Sequence, residues 1–179
     1  MKKSIVISIA ILLGVALYAA PSQFQNPGKD TKSKGKALRK MENTKVSDLA
    51  KTHFYADFGD IPGTQWERTT YFDEAAFTQN GQKMRAFYDY DATLVGTCVP
   101  KTLNDLPVAA QKEIKNKYKD YAIKGVILFD DNEKNESDMY LYNTQFDSRD
   151  NYFVELQKEG SIIVLQVSTD GIVYFFKKL

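Results

Sequence analysis

The chain predicts an α+β fold: two helix-plus-β-meander repeats forming one curved antiparallel sheet, with the helices packed on one face. Three observations predict it. Two stretches with helical apolar spacing, residues 46–58 and 106–118, are each followed by runs that alternate apolar and polar residues. Asn80-Gly81, Glu159-Gly160 and Asp170-Gly171 separate such runs, and tight hairpin turns need residues that tolerate positive φ. The halves also match at a constant offset of 79 residues: Gly81 with Gly160, Asp91 with Asp170, and Met84, Ala86, Tyr88 and Leu94 with Ile163, Leu165, Val167 and Val173. That match keeps the inward parity of the strands.

Length and composition agree with one domain. The 179 residues are 43% hydrophobic, 26% charged and 13% aromatic, and most of the aromatic residues sit in strand-like runs. Lys2 and Lys3 precede an almost wholly apolar stretch, residues 4–20, with small residues at its end. Residues 1–19 therefore read as a cleaved secretory signal peptide. No cysteine follows the apolar run, so the expected destination is the periplasm or the medium, without a lipid anchor. Residues 20–45 read as a basic flexible linker. From 21 to 45 there are seven Lys/Arg and two Asp/Glu; from 46 to 179 there are fifteen and twenty-one. A basic arm precedes an acidic domain.

The elements follow in order. Val46, Leu49, Ala50, His53 and Phe54 form the stripe of the first helix, with Thr44 or Ser47 as its cap and Gly59, Pro62 and Gly63 beyond its end. Strands are expected over 64–72, 74–78, 82–90 and 93–99, with Pro100 closing the unit. Leu106, Ala110, Ile114 and Tyr118 form the second helical stripe; Asn104 or Asp105 caps it and Pro107 lies in its first turn. Its lysines, Lys112, Lys115, Lys117 and Lys119, lie mostly off the stripe and read as a solvated face. Strands follow over 122–130, 138–146, 151–158, 161–168 and 172–177. The repeats are 46–103 and 104–179. The second carries an insertion, residues 130–137 plus an extra strand at 139–145.

A family resemblance rests on short motifs: Phe54 and Phe58 ending the first helix, then Pro62 and Trp66, Phe87-Tyr88-Asp89-Tyr90-Asp91, Leu103-Asn104-Asp105-Leu106-Pro107, Ile114, and Tyr118-Lys119-Asp120-Tyr121. In these the chain resembles the PepSY-like exported proteins of Bacteroidetes, which are themselves likened to the β-lactamase-inhibitor protein. The resemblance covers roughly 46–179. It implies an inhibitory or binding role outside the cytoplasm. The chain lacks the paired cysteines of the inhibitor protein, and no functional residue is carried over from it.

Catalytic signals are sparse. The one histidine, His53, lies on a helical apolar stripe, and the one cysteine, Cys98, lies in a strand-like run; both read as core residues. Neither builds a zinc site. Residues 130–138 are acidic but lack the glycine and glutamate of a calcium-binding hand, and read as a solvated loop. No nucleotide, phosphate or serine-nucleophile motif occurs, so no catalytic residue, metal or other cofactor is expected. Nucleic acid is not an expected partner, nor is the membrane after cleavage. The expected working surface is the sheet face turned away from the helices. Arg85, Phe87, Tyr140, Tyr142 and Phe153 fall there by parity, a composition suited to protein binding. The expected function is a non-enzymatic exported protein-binding module, an inhibitor of a peptidase or other envelope enzyme. The alternative is a binder of a small ligand or an anionic envelope polymer.

Overall fold

The computed structural model describes residues 37–179. The signal peptide and linker residues 20–36 lie outside the described residues. No helix among the described residues is long and apolar enough to cross a membrane.

The first helix, α1, spans Asp48–Phe58. Ser47 is its cap: the hydroxyl oxygen accepts from the Leu49 and Ala50 amides at 3.2 and 3.4 Å. The Ser47 amide donates in turn to Asp73 at 2.9 Å, which ties the helix start to the sheet. Gly59, at φ 85°, ends the helix, and its N–H bonds Tyr55 O at 2.9 Å. Four strands follow: β1 (Gln65–Arg68), β2 (Asp73–Gln79), β3 (Gln82–Tyr88) and β4 (Leu94–Lys101). Asn80 and Gly81 both have positive φ, as the hairpin between β2 and β3 requires. The expected strand over 64–72 is cut at Arg68, because the chain turns there: Thr69 N–H bonds Phe72 O at 2.8 Å.

The second helix, α2, spans Val108–Lys117, with Pro107 as its N-cap residue. Asp105 does not cap it. Its carboxylate accepts from the Thr102 amide and hydroxyl, both at 2.7 Å, and closes a short 3-10 turn just upstream. Then come β5 (Ala122–Asp131), β6 (Met139–Leu141), β7 (Thr144–Phe146), β8 (Asn151–Lys158), β9 (Ser161–Ser168) and β10 (Val173–Lys178).

Eight strands form one sheet in the order β1-β2-β3-β4-β5-β8-β9-β10, every neighbouring pair antiparallel. Both helices pack on one face. Ala50 and Phe54 of α1 meet Ala75, Phe77, Ala86 and Tyr88. Ala110 and Ile114 of α2 meet Val126, Val154, Leu156, Leu165 and Val167.

The insertion is not an extra strand of the sheet. β6 and β7 pair only with each other. Tyr142 and Asn143, at φ 50° and 56°, make a tight turn where a continuous strand was expected. The hairpin lies over the sheet face opposite the helices. Met139 and Phe146 are buried there with Phe72, Phe87, Val95, Phe129, Phe153 and Val164.

Residues 37–45 do not form a free arm. Leu38 packs against the hairpin-side core. The Arg39 guanidinium stacks 3.6 Å over the Tyr90 ring and pairs with Asp91 at 3.2 Å. Met41 N–H bonds Thr70 O at 2.9 Å, and Arg68 donates to Glu42 O at 2.9 Å. These contacts offset the ordering entropy that composition alone could not.

Candidate functional site: the outer sheet face

Alternation puts the expected surface residues on the face turned from the helices, but that face is not open. Phe87 is 3% exposed and Phe153 is fully buried, both beneath the β6–β7 hairpin. The ring of Phe146 sits 5.0 Å from Phe153 and 5.4 Å from Phe129, and Phe176 stacks 5.0 Å from Phe153. These separations suit tilted and edge-on aromatic packing. Phe87 and Phe153 do lie on the face that alternation assigns them, but a segment of the same chain covers that face. Tyr140 and Tyr142 belong to the cover and are half-buried. The ring of Tyr140 lies 4.8 Å from that of Tyr71. The Tyr142 hydroxyl donates to Glu155 at 2.7 Å, and its acidity is suppressed chiefly by burial and then by that carboxylate.

The cover is latched at its other end by Asp89, a buried residue in the turn between β3 and β4. One carboxylate oxygen accepts from the amides of Asp91 and Thr93, each at 3.0 Å. The other accepts from the Asn135 amide group at 3.0 Å and the Ser137 hydroxyl at 3.1 Å. The loop 130–138 is therefore not wholly solvated: Asn135 and Ser137 are buried. Among the described residues no group of three or more His, Cys, Asp or Glu side chains is placed to hold a metal ion.

Arg85 alone of the expected set remains on an uncovered strip. By register it shares that strip with Glu74, Ala76, Thr78 and Lys83 of β2 and β3. Its Nη1 donates to Glu74 at 3.3 Å, with the arginine side chain 38% exposed and the glutamate 15%. Burial holds the Glu74 carboxyl above its usual range; Arg85 opposes this and Glu67, directly across from it on β1, adds to it. Cys98 stands opposite Arg85 on β4, and burial pushes its thiol far above the reactive range. His53 bonds Ala92 O through Nδ1 at 2.6 Å, a satisfied packing histidine. Parity puts Asp89 and Glu155 on the outward face, but their hydrogen-bonding roles and the part of Glu74 depend on partners far along the chain, and a single acid in a strand run has no distinguishing signal. Asn143, a residue that tolerates positive φ, was the one clue to the hairpin turn.

The fold has counterparts among solved structures. A BLIP-like protein from Bacteroides fragilis matches with a TM-score of 0.57 and 16% identity, over 76% of this chain and 89% of that one. A protein from Bacteroides eggerthii, described as a candidate periplasmic protein, matches with a TM-score of 0.61 and 15% identity, over 75% and 89%. A DUF2874 family protein from Bacteroides uniformis matches with a TM-score of 0.61 and 12% identity, over 74% and 89%. At such identities the likeness is one of fold. No family profile and no curated protein matches the chain.

Proposed function

We propose that the chain is a non-enzymatic, extracytoplasmic protein-binding module of inhibitor-like type. The observation that carries this reading is the likeness in fold to a BLIP-like protein, together with a rigid sheet face that leaves one mixed-charge strip uncovered around Arg85. The filled aromatic layer beside the strip supports it, because a preorganised surface loses little entropy on docking. The candidate periplasmic neighbour and the signal-like first 19 residues support action in the periplasm. In this reading the PepSY-like motifs and the 79-residue offset record a duplicated helix-plus-meander unit.

The test is capture from an envelope extract of the source organism, at low and high salt, with wild type and a Lys83→Glu, Arg85→Gln variant. One protein retained through high salt by wild type and lost by the variant is the expected result. Capture equal in both proteins would remove the strip from the function. Capture only of anionic polymer, abolished by salt, would replace the reading with the polymer-binding alternative.

A further inference from the structure

We propose that residues 37–41 form a hinged strap that holds the β6–β7 hairpin shut, so that lifting the strap opens the hairpin and uncovers the aromatic layer beneath it. The device does not rest on the Arg85 strip having a partner, because it is contained in this chain alone.

The two ends of the strap are held unequally. At its C-terminal end, Arg68 donates to Glu42 O at 2.9 Å and to the Asn43 side chain at 3.0 Å. That arginine is itself fixed: its Nε and Nη2 donate to Asp73 at 2.7 and 2.6 Å, and the two side chains are only 9% and 1% exposed. Asn43, at φ 58°, bends the chain there. This end is the hinge. Residues 37–41 belong to no helix or strand, and their one backbone–backbone bond among the described residues runs from Met41 N–H to Thr70 O. Arg39 holds the outer end through exposed groups. It stacks over Tyr90 and pairs with Asp91, the two charged side chains being 53% and 43% exposed. Such a pair is weak and yields to salt. A segment with so few buried contacts opens at a lower free energy than the sheet behind it.

The seat of the strap and the latch of the hairpin share one turn, Asp89-Tyr90-Asp91. Tyr90 and Asp91 take Arg39, while Asp89 takes Asn135 and Ser137 of the loop that leads into the hairpin. The Asp91 amide also donates to the Asp89 carboxylate at 3.0 Å, so the group that binds the loop shapes the turn that binds the strap. The Tyr90 hydroxyl donates to Glu42 at 2.7 Å and ties the same turn to the hinge. Leu38 packs against the core that holds Met139 and Phe146, as Tyr71 and Tyr140 do. Residues 37–39, Asp89 and Ser137 together line a cavity of about 10 Å³, room for about one water. With the strap seated, the bonds from Asn135 and Ser137 to Asp89 lie away from bulk solvent and are strong. With it lifted, water competes for the carboxylate and the latch weakens.

The experiment is amide exchange on the protein with its whole N-terminal arm, read beside the rate at which a neutral thiol reagent labels Cys98. This cysteine, the one in the chain, lies in the hairpin-side core. A Leu38→Asp, Arg39→Glu variant removes the apolar contact and sets like charge against Asp91. It is expected to speed both exchange over residues 131–148 and labelling of Cys98 about tenfold, the scale of one exposed cation–π contact and one surface pair lost together. Amides of α1 and α2 are expected to keep their wild-type rates. Arg39→Lys, which keeps the charge but not the planar stack, is expected to fall between. Raising salt from about 0.05 to about 0.5 M is expected to speed the same amides in wild type and not in the double variant. Lys40→Glu is the control, since it reverses an exposed charge next to Arg39 that makes none of these contacts. Melting temperatures within a few degrees of wild type verify folding. Unchanged exchange at 131–148 in the double variant, equal acceleration across α1 and α2, or the same effect from Lys40→Glu would each overturn the proposal. So would wild-type exchange indifferent to salt.

Discussion

Ile114, on the inner side of α2, and Phe153, under the β6–β7 hairpin, are both sealed from solvent, yet unlike elements cover the two faces of the sheet there. On the helix side the cover is regular: α1 and α2 form their own hydrogen bonds and need only an apolar stripe. On the hairpin side the cover is a two-stranded pair too small to stand alone. It is held by aromatic packing and by side-chain bonds at both ends, Asn135 and Ser137 to Asp89, and Tyr142 to Glu155. Lys177 adds a bond to Tyr142 O at 2.6 Å. A helix advertises its buried face locally, whereas this hairpin acquires one only when seated on the sheet.

The two covers depend most on their central residues. Phe153→Ala is expected to cost about 3–5 kcal/mol and Ile114→Ala about 2–5 kcal/mol, measured by urea unfolding. A loss below about 1 kcal/mol for Phe153→Ala would mean that the hairpin is decoration rather than core. Gly96→Ala comes next. An added Cβ would lie 2.5 Å from Asp130 O and 2.6 Å from the Phe129 ring, so the hairpin-side core must shift, at about 1–3 kcal/mol. Equal unfolding midpoints for the variant and wild type would contradict that close approach.

Asn135→Ala tests the latch. It removes a donor from buried Asp89 and is expected to cost about 1–3 kcal/mol, with faster amide exchange confined to residues 131–148. Faster exchange across α1 or α2 as well would deny the hairpin its separate stability. The smallest effect concerns Glu74. Its folded-state acidity is weakened, so its contribution to stability is greatest when protonated and declines as pH rises through its usual value near 4.5. Glu74→Gln is expected to gain on wild type between pH 4.5 and 7 and to match it at lower pH, followed by melting temperature. A gain that grows as pH falls would reverse the sign.

Much of the sheet was legible in the chain. Alternation placed Phe87 and Phe153 on the correct side, and Asn80-Gly81 and Glu159-Gly160 marked hairpins whose φ values agree. The candidate site was less legible. Arg85 was found through parity, but its partner Glu74 and the covering role of Tyr142 depend on contacts between residues far apart in sequence.

The sequence by itself determined the two helices, most strands of the large sheet and which of their residues share a face, because backbone periodicity and turn chemistry act over a few residues. The tertiary structure alone decided which face stayed open. Loop 130–138 lies over the sheet because Asp89, more than forty residues upstream, offers a buried carboxylate to Asn135 and Ser137. Residues 37–45 lie down because Tyr90, Asp91 and Arg68 meet them. Burial is a property of what arrives from elsewhere in the chain, and no local pattern records it.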